Sequence, residues 1–151
     1  MQDLRTEHLG HWLLLALRRF DARVLHLLAR NEAVSLALSN LARRGQLTAA
    51  QIHVTRHLAP AGLRLGELAR RAGVTKQAMG RLVDQCVAWD LVRRDPDPRD
   101  ARACLVRFTP TGLAWLQAYN QALLQAQTEL RTAVGDEVAA VLAIGLEAYA
   151  A

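Results

Sequence analysis

The run Leu65-Gly66-Glu67-Leu68-Ala69-Arg70-Arg71-Ala72-Gly73-Val74-Thr75-Lys76-Gln77-Ala78-Met79 decides how this 151-residue chain folds. Leu68, Ala69 and Ala72 recur at helical spacing and give a short helix one apolar face. Gly73 follows, the residue type that enters the left-handed conformation at a helix end without steric penalty. Val74 is expected to plug the space between two helices, and Thr75 to cap the second through its hydroxyl. A short helix, a glycine-containing turn and a second helix together spell a helix-turn-helix.

The second helix, expected over 76–88, separates by face. Met79, Leu82, Val83, Cys86 and Val87 fall on one side and should be core. Lys76, Gln77, Gly80, Arg81, Asp84 and Gln85 fall on the other. Lys76, Gln77 and Arg81 offer hydrogen-bond donors suited to base edges in a major groove, and Gly80 permits close approach. An ordinary solvated helix face is the plainer reading, and the preceding turn geometry weighs against it. Beyond this helix, Leu91–Arg94 and Cys104–Phe108 read as two short strands. The polar segment 95–102 between them is expected to form a rigid hairpin tip, stiffened by Pro96 and Pro98. Arg99 and Arg102 on such a tip suit a narrow minor groove, with Asp100 orienting an arginine.

The flanks are helical. All four prolines lie at 60–110, so the outer stretches are proline-free. Leu9, Trp12, Leu13, Ala16, Leu17, Phe20, Val24, Leu27 and Leu28 predict an amphipathic helix from about Thr6 to Arg30. A further helical piece is expected over 34–41. A capping box at Thr48–Gln51 opens a short helix ending near Leu58. Thr109-Pro110 sets an N-cap and first helical position for a long helix to about Val134, and Gly135 ends it. A last helix from Asp136 is apolar over most of its circumference, so it must pack on another helix or another chain. The expected fold class is mainly α with a small β-hairpin wing. The expected division is 1–46 and 112–151 as a helical dimerisation region, and 47–111 as the winged helix-turn-helix lobe.

Composition narrows the function. The chain is 52% hydrophobic with two cysteines, which excludes a disordered segment and a disulfide-rich secreted scaffold. No apolar run approaches the roughly 20 residues that span a bilayer, and the N-terminus lacks signal-peptide flanks. A cytoplasmic protein without membrane partners is expected. The net charge of +5 favours an acidic partner, nucleic acid first. Residues 1–59 and 60–111 each carry +4, and 112–151 carries −3.

Taken together, LTAAQ (47–51), ELARRAGVTKQAMGRLVDQ (67–85) and LVRRDPDPRDARACLVRFTPTG (91–112) resemble the MarR-type winged-helix transcriptional regulators. The resemblance is strong over 47–112 and looser, by helix order, across the whole chain. It implies a homodimer with interlocking terminal helices, two lobes on a pseudo-palindromic DNA operator, and repression. It also implies release by a small aromatic or lipophilic acid bound between lobe and dimer helices. The family's Asp-Arg-Arg wing signature falls on Asp100-Ala101-Arg102, so its middle arginine is replaced, with Arg99 a possible substitute. Asp90 stands where the family places a glycine, and Asp tolerates the left-handed region better than most residues. The piece at 34–41 is additional and puts any copied ligand pocket in question.

The DNA-contacting set expected from these readings is Thr75, Lys76, Gln77, Arg81, Arg99, Asp100 and Arg102. For an effector pocket the candidates are His11, Trp12, Arg18, His53, His57, Trp115 and Tyr119, cations beside an apolar wall; the aromatics serve equally as core. His53 and His57 have the i, i+4 spacing of a metal pair, but no nearby Cys or carboxylate completes a site, and no metal is expected. Cys86 and Cys104 both read as buried and unreactive. No phosphate loop, nucleophile elbow or catalytic pair is visible, so neither enzyme nor cofactor is expected. The alternative function is a helical interaction protein that uses its winged helix for protein contacts.

Overall fold

A computed structural model of the chain describes residues 7–32, 34 and 54–151. The first helix, α1 (Leu9–Ala29), is capped by His8, whose Nδ1 accepts from the His11 backbone N–H at 3.2 Å. Its inward stripe, with Val24 and Leu28 buried and Phe20, Leu25 and Leu27 beside them, follows the expected spacing. The leucines and Trp12 of its first half remain exposed. The expected helical piece at 34–41, apart from a buried Val34, lies outside the described residues, as do the capping box at 48–51 and His53. Chain 54–57 is a helical turn that seats Val54 in the core, with Leu58 just beyond it.

A two-residue strand, β1 (Leu63–Arg64), leads directly into α2 (Leu65–Ala72). Gly73 adopts φ 67° at its end, and the N–H groups of Gly73 and Val74 bond back to Arg70 and Ala69 at 3.2 and 3.1 Å. Thr75 Oγ1 accepts from the Ala78 N–H at 3.1 Å and opens α3 (Lys76–Ala88). Two expectations fail here. Val74 is tied by its backbone to the end of α2 and sits 40% exposed; Leu68, Ala69, Met79 and Val83 fill the core instead. Val87 is exposed as well, because it lies about 80° round the axis from Met79 at 100° per residue.

After α3 the chain turns through Asp90, at φ 57°, as expected for a residue in the glycine position. Strands β2 (Val92–Asp97) and β3 (Asp100–Phe108) form an antiparallel wing, and β1 joins the free side of β3 to give the order β1-β3-β2. The wing is more regular than its prolines suggested. Pro96 and Pro98 were expected in a loop over 95–102, yet only 98 and 99 are free of strand. Because β2 is an edge strand, a proline without N–H there breaks no ladder on its outer side. The register does slip between Pro96 and Asp97: Pro96 faces Cys104 while Asp97 faces Asp100. Residues 101–103 therefore have no partner across the ladder, and Arg102 rides on that irregularity. Val106 and Phe108 point into the core, but Cys104 on the same face is only half-buried, nearer the wing tip.

Helix α4 (Pro110–Val134) begins as its sequence dictates, with Thr109 Oγ1 accepting from the Gly112 N–H at 2.9 Å and Pro110 in the first turn. Gly112, Trp115, Ala118, Tyr119, Ala122 and Ala126 form its buried stripe. Gly112 is obligatory: a Cβ there would lie 1.8 Å from the Leu91 carbonyl oxygen. Thr109 Oγ1 also donates to the Asp90 carbonyl, and Thr111 Oγ1 donates to Asp90 Oδ2 at 2.9 Å. The end of the helix-turn-helix is thereby fastened to the start of α4. Helix α1 packs along α4, where Arg23 grips Glu129 with two hydrogen bonds of 2.7 and 2.8 Å. Gly135 ends α4, and α5 (Asp136–Ala150) follows with Ala139 as its only buried residue. Among the described residues, no helix is long and apolar enough to cross a membrane.

Candidate nucleic-acid interface

The outer face of α3 and the wing carry a set of exposed cations. Met79, Val83 and Cys86 anchor α3 from beneath, so Lys76, Gln77 and Arg81 project outward. Thr75, also exposed, has its hydroxyl committed to the cap. Arg99 and Arg102 are both exposed at the wing. Asp100 Oδ1 accepts from the Arg102 backbone N–H at 3.0 Å, which holds the backbone that carries this arginine.

The acids in the same region are consumed internally. Asp97 is almost wholly buried; it accepts from the Arg99 N–H at 2.9 Å and from Arg64 Nε at 2.6 Å. The Arg99 N–H first, and the Arg64 guanidinium after it, hold its carboxyl below the usual range. Asp95 lies between Arg93 and Arg107, at 3.1 and 3.8 Å. Asp84 pairs with Arg94 at 2.7 Å. On α2, Glu67 accepts from Arg70 and Arg71, and those hydrogen bonds lower its pKa to about 2. Among the described residues Lys76, Arg81 and Arg102 form no ion pair. Glu67, Asp84, Asp95 and Asp97 are thus paired with arginines and Asp100 is bonded to backbone, while uncommitted cations stand beside them. Such a surface is suited to a polyanion.

The candidate effector residues are divided by the fold. Trp115 and Tyr119, each 2% exposed, stack at 5.2 Å and 6° deep in the core, and the Tyr119 hydroxyl accepts from Arg56 Nη2 at 2.9 Å. They are core, and they do not line the open groove of about 890 Å³ that lies between α1 and α4. Trp12 does line it, with His11 packed edge-on at 5.5 Å, whereas Arg18 points elsewhere. His57 is half-buried, and His53 falls outside the described residues. Sequence reasoning missed Arg19, Arg23 and His26 on the groove wall. Their spacing of four and three along α1 was the available signal. Among the described residues, no cluster of three His, Cys, Asp or Glu side chains is placed to hold a metal. Burial pushes the Cys86 thiol up to about 12, so it stays protonated at neutral pH.

Comparison with known proteins agrees with this geometry. The MarR family model matches residues 46–103, the helix-turn-helix and most of the wing. No curated protein sequence matches the chain. Among solved structures, the transcriptional repressor CouR bound to a 23-mer DNA duplex is 23% identical, with a TM-score of 0.76 over 100% of this chain and 98% of that one. Wild-type MarR from E. coli in its apo form is 28% identical, with a TM-score of 0.65 over 93% and 96% of the two chains. BpsR from Bordetella bronchiseptica, whose DNA binding is regulated by 6-hydroxynicotinic acid, is 20% identical, with a TM-score of 0.67 over 97% and 96%. The lobe is thus similar to the MarR family over residues 46–103, and nearly the whole chain shares the fold of these structures.

Proposed function

We propose that the chain is a sequence-specific DNA-binding transcriptional regulator that acts in the cytoplasm, as a homodimeric repressor on a pseudo-palindromic operator. The observation that carries this reading is the charge arrangement just described. Every acid of the helix-turn-helix and wing near the exposed arginines has an internal partner, and Lys76, Arg81 and Arg102 have none among the described residues. Lys76, Gln77 and Arg81 would read base edges from the major groove, and Arg99 and Arg102 would enter the minor groove. Thr75 would hold the N-terminus of α3 close to a phosphate.

The second copy enters through the exposed apolar residues of α1 and α5, which a soluble monomer would leave wet. Its lobe would present an equivalent α3 about 34–36 Å away, one turn of DNA. CouR is a repressor seen on duplex DNA, and BpsR answers to a small aromatic acid; both properties transfer here as part of the proposal. The chain acts by binding, with no turnover. A small aromatic or lipophilic acid would release the operator by altering the spacing of the two lobes.

Arg102→Ala tests the wing directly. In a gel-shift titration on a duplex selected by the wild-type protein, it should weaken binding severalfold or more while the thermal midpoint stays put. Unchanged affinity would remove the wing from the mechanism.

A further inference from the structure

Asp84 is out of place on the face that the DNA-binding reading assigns to the major groove. It lies on the strip of α3 that carries Gln77 and Arg81, one turn beyond Arg81, with its side chain 69% exposed. A bare carboxylate there would oppose the phosphates that Lys76 and Arg81 attract. The wing supplies the answer. Arg94, on β2, turns down onto the helix, and its Nη2 donates to Asp84 Oδ1 at 2.7 Å and to the Gly80 carbonyl at 3.3 Å. Its side chain is half as exposed as that of Asp84, 34%, so the guanidinium lies along α3 rather than out in solvent.

This contact joins the two elements that must meet DNA together. The helix and the wing strand meet at the turn through Asp90 and in the core, where Val92 joins Met79, Val83 and Cys86, and Arg94 adds a polar tie on the outer side. Exposed ion pairs contribute little to folding. The consequence therefore falls on the field that the surface presents.

We propose that Arg94 is a positioning residue for DNA binding, which lies over Asp84 and cancels its charge on the face that the recognition helix offers to DNA. The proposal rests on the DNA-binding reading above. The test compares wild type, Arg94→Ala, Asp84→Asn and the double variant by fluorescence anisotropy. The probe is a labelled duplex selected by the wild-type protein from a random-sequence library. Arg94→Ala should lose about tenfold in affinity, a change of about 1.4 kcal/mol, as the uncovered carboxylate meets the phosphates. Asp84→Asn in that background should restore most of the loss, which a purely structural role for Arg94 would not allow. Asp84→Asn alone, which leaves Arg94 in place, should bind as tightly as wild type or more tightly.

An unchanged Arg94→Ala, a loss that Asp84→Asn does not rescue, or a single Asp84→Asn that binds more weakly would each overturn the proposal. If Arg94→Ala fails to fold, the single Asp84→Asn variant still decides. A wild-type protein that retains no duplex would instead overturn the DNA-binding reading, and this proposal with it.

Discussion

In α3 the apolar positions Met79, Val83 and Cys86 are wholly buried, while in α5 Val141, Ile144 and Tyr149 stand 71%, 68% and 88% exposed. Both helices carry the apolar residues their sequences predict. They differ in what covers those residues. The lobe brings its own cover, from α2, the wing and the start of α4, and its ends are closed by Gly73, Thr75 and Thr109. Among the described residues, the α1–α5 end has no such cover. Burying a large apolar side chain stabilises by about 1.5–3 kcal/mol, so an uncovered α5 forgoes several such contributions. One region covers its apolar residues within a single copy, and the other leaves them exposed among the described residues.

The contrast breaks most violently at the joint between the regions. Gly112→Ala places a methyl group 1.8 Å from the Leu91 carbonyl oxygen, where backbone must move. We expect a loss of about 4 kcal/mol or more, read as failure to accumulate folded protein or as a collapsed urea midpoint. A Gly112→Ala protein with wild-type stability would mean that the joint is looser than its hydrogen bonds require.

A charge on the incomplete region should separate assembly from lobe folding. Val141→Glu combined with Ile144→Glu is expected to give monomers in analytical ultracentrifugation. Duplex affinity should fall by about a hundredfold or more as the second half-site is lost. The lobe should keep its helical circular dichroism. A dimer that survives both substitutions would place the interface elsewhere.

The smallest effect lies within the self-sufficient region. Glu67 has a pKa of about 2 because Arg70 and Arg71 hydrogen-bond to its carboxylate. A folded pKa below the unfolded value contributes stability that is complete above about 4.5 and is lost as pH falls toward 2. Glu67→Gln should therefore lower the thermal midpoint slightly at neutral pH and converge with wild type near pH 2. Parallel curves over that window would show that the two arginines do not hold this carboxylate in solution.

The same division explains what could be read from sequence. Signals that act within a few residues were legible: the Gly73 turn, the Thr75 and Thr109 caps, the left-handed Asp90 and the stop at Gly135. Signals that depend on where distant chain arrives were not. Arg94 reaches Asp84 only because the wing folds back over α3, and Arg23 finds Glu129 across 106 residues. Strand β1 is too short to show a period, and the edge position that admits Pro96 and Pro98 exists only once the sheet order is known. Aromatic spacing placed Trp115 and Tyr119 on one helix face correctly, but core and pocket look alike at that level; the stacked pair proved to be core.

The central claim is that the unpaired cations of α3 and the wing grip the phosphates of a duplex. The most direct measurement is the affinity of the wild-type protein for a selected duplex as salt rises from about 50 to 200 mM. Release of counterions from several phosphate contacts predicts a fall of about a thousandfold, linear on logarithmic axes. An affinity that stays level across that range would contradict the account and favour a winged helix that meets protein rather than DNA.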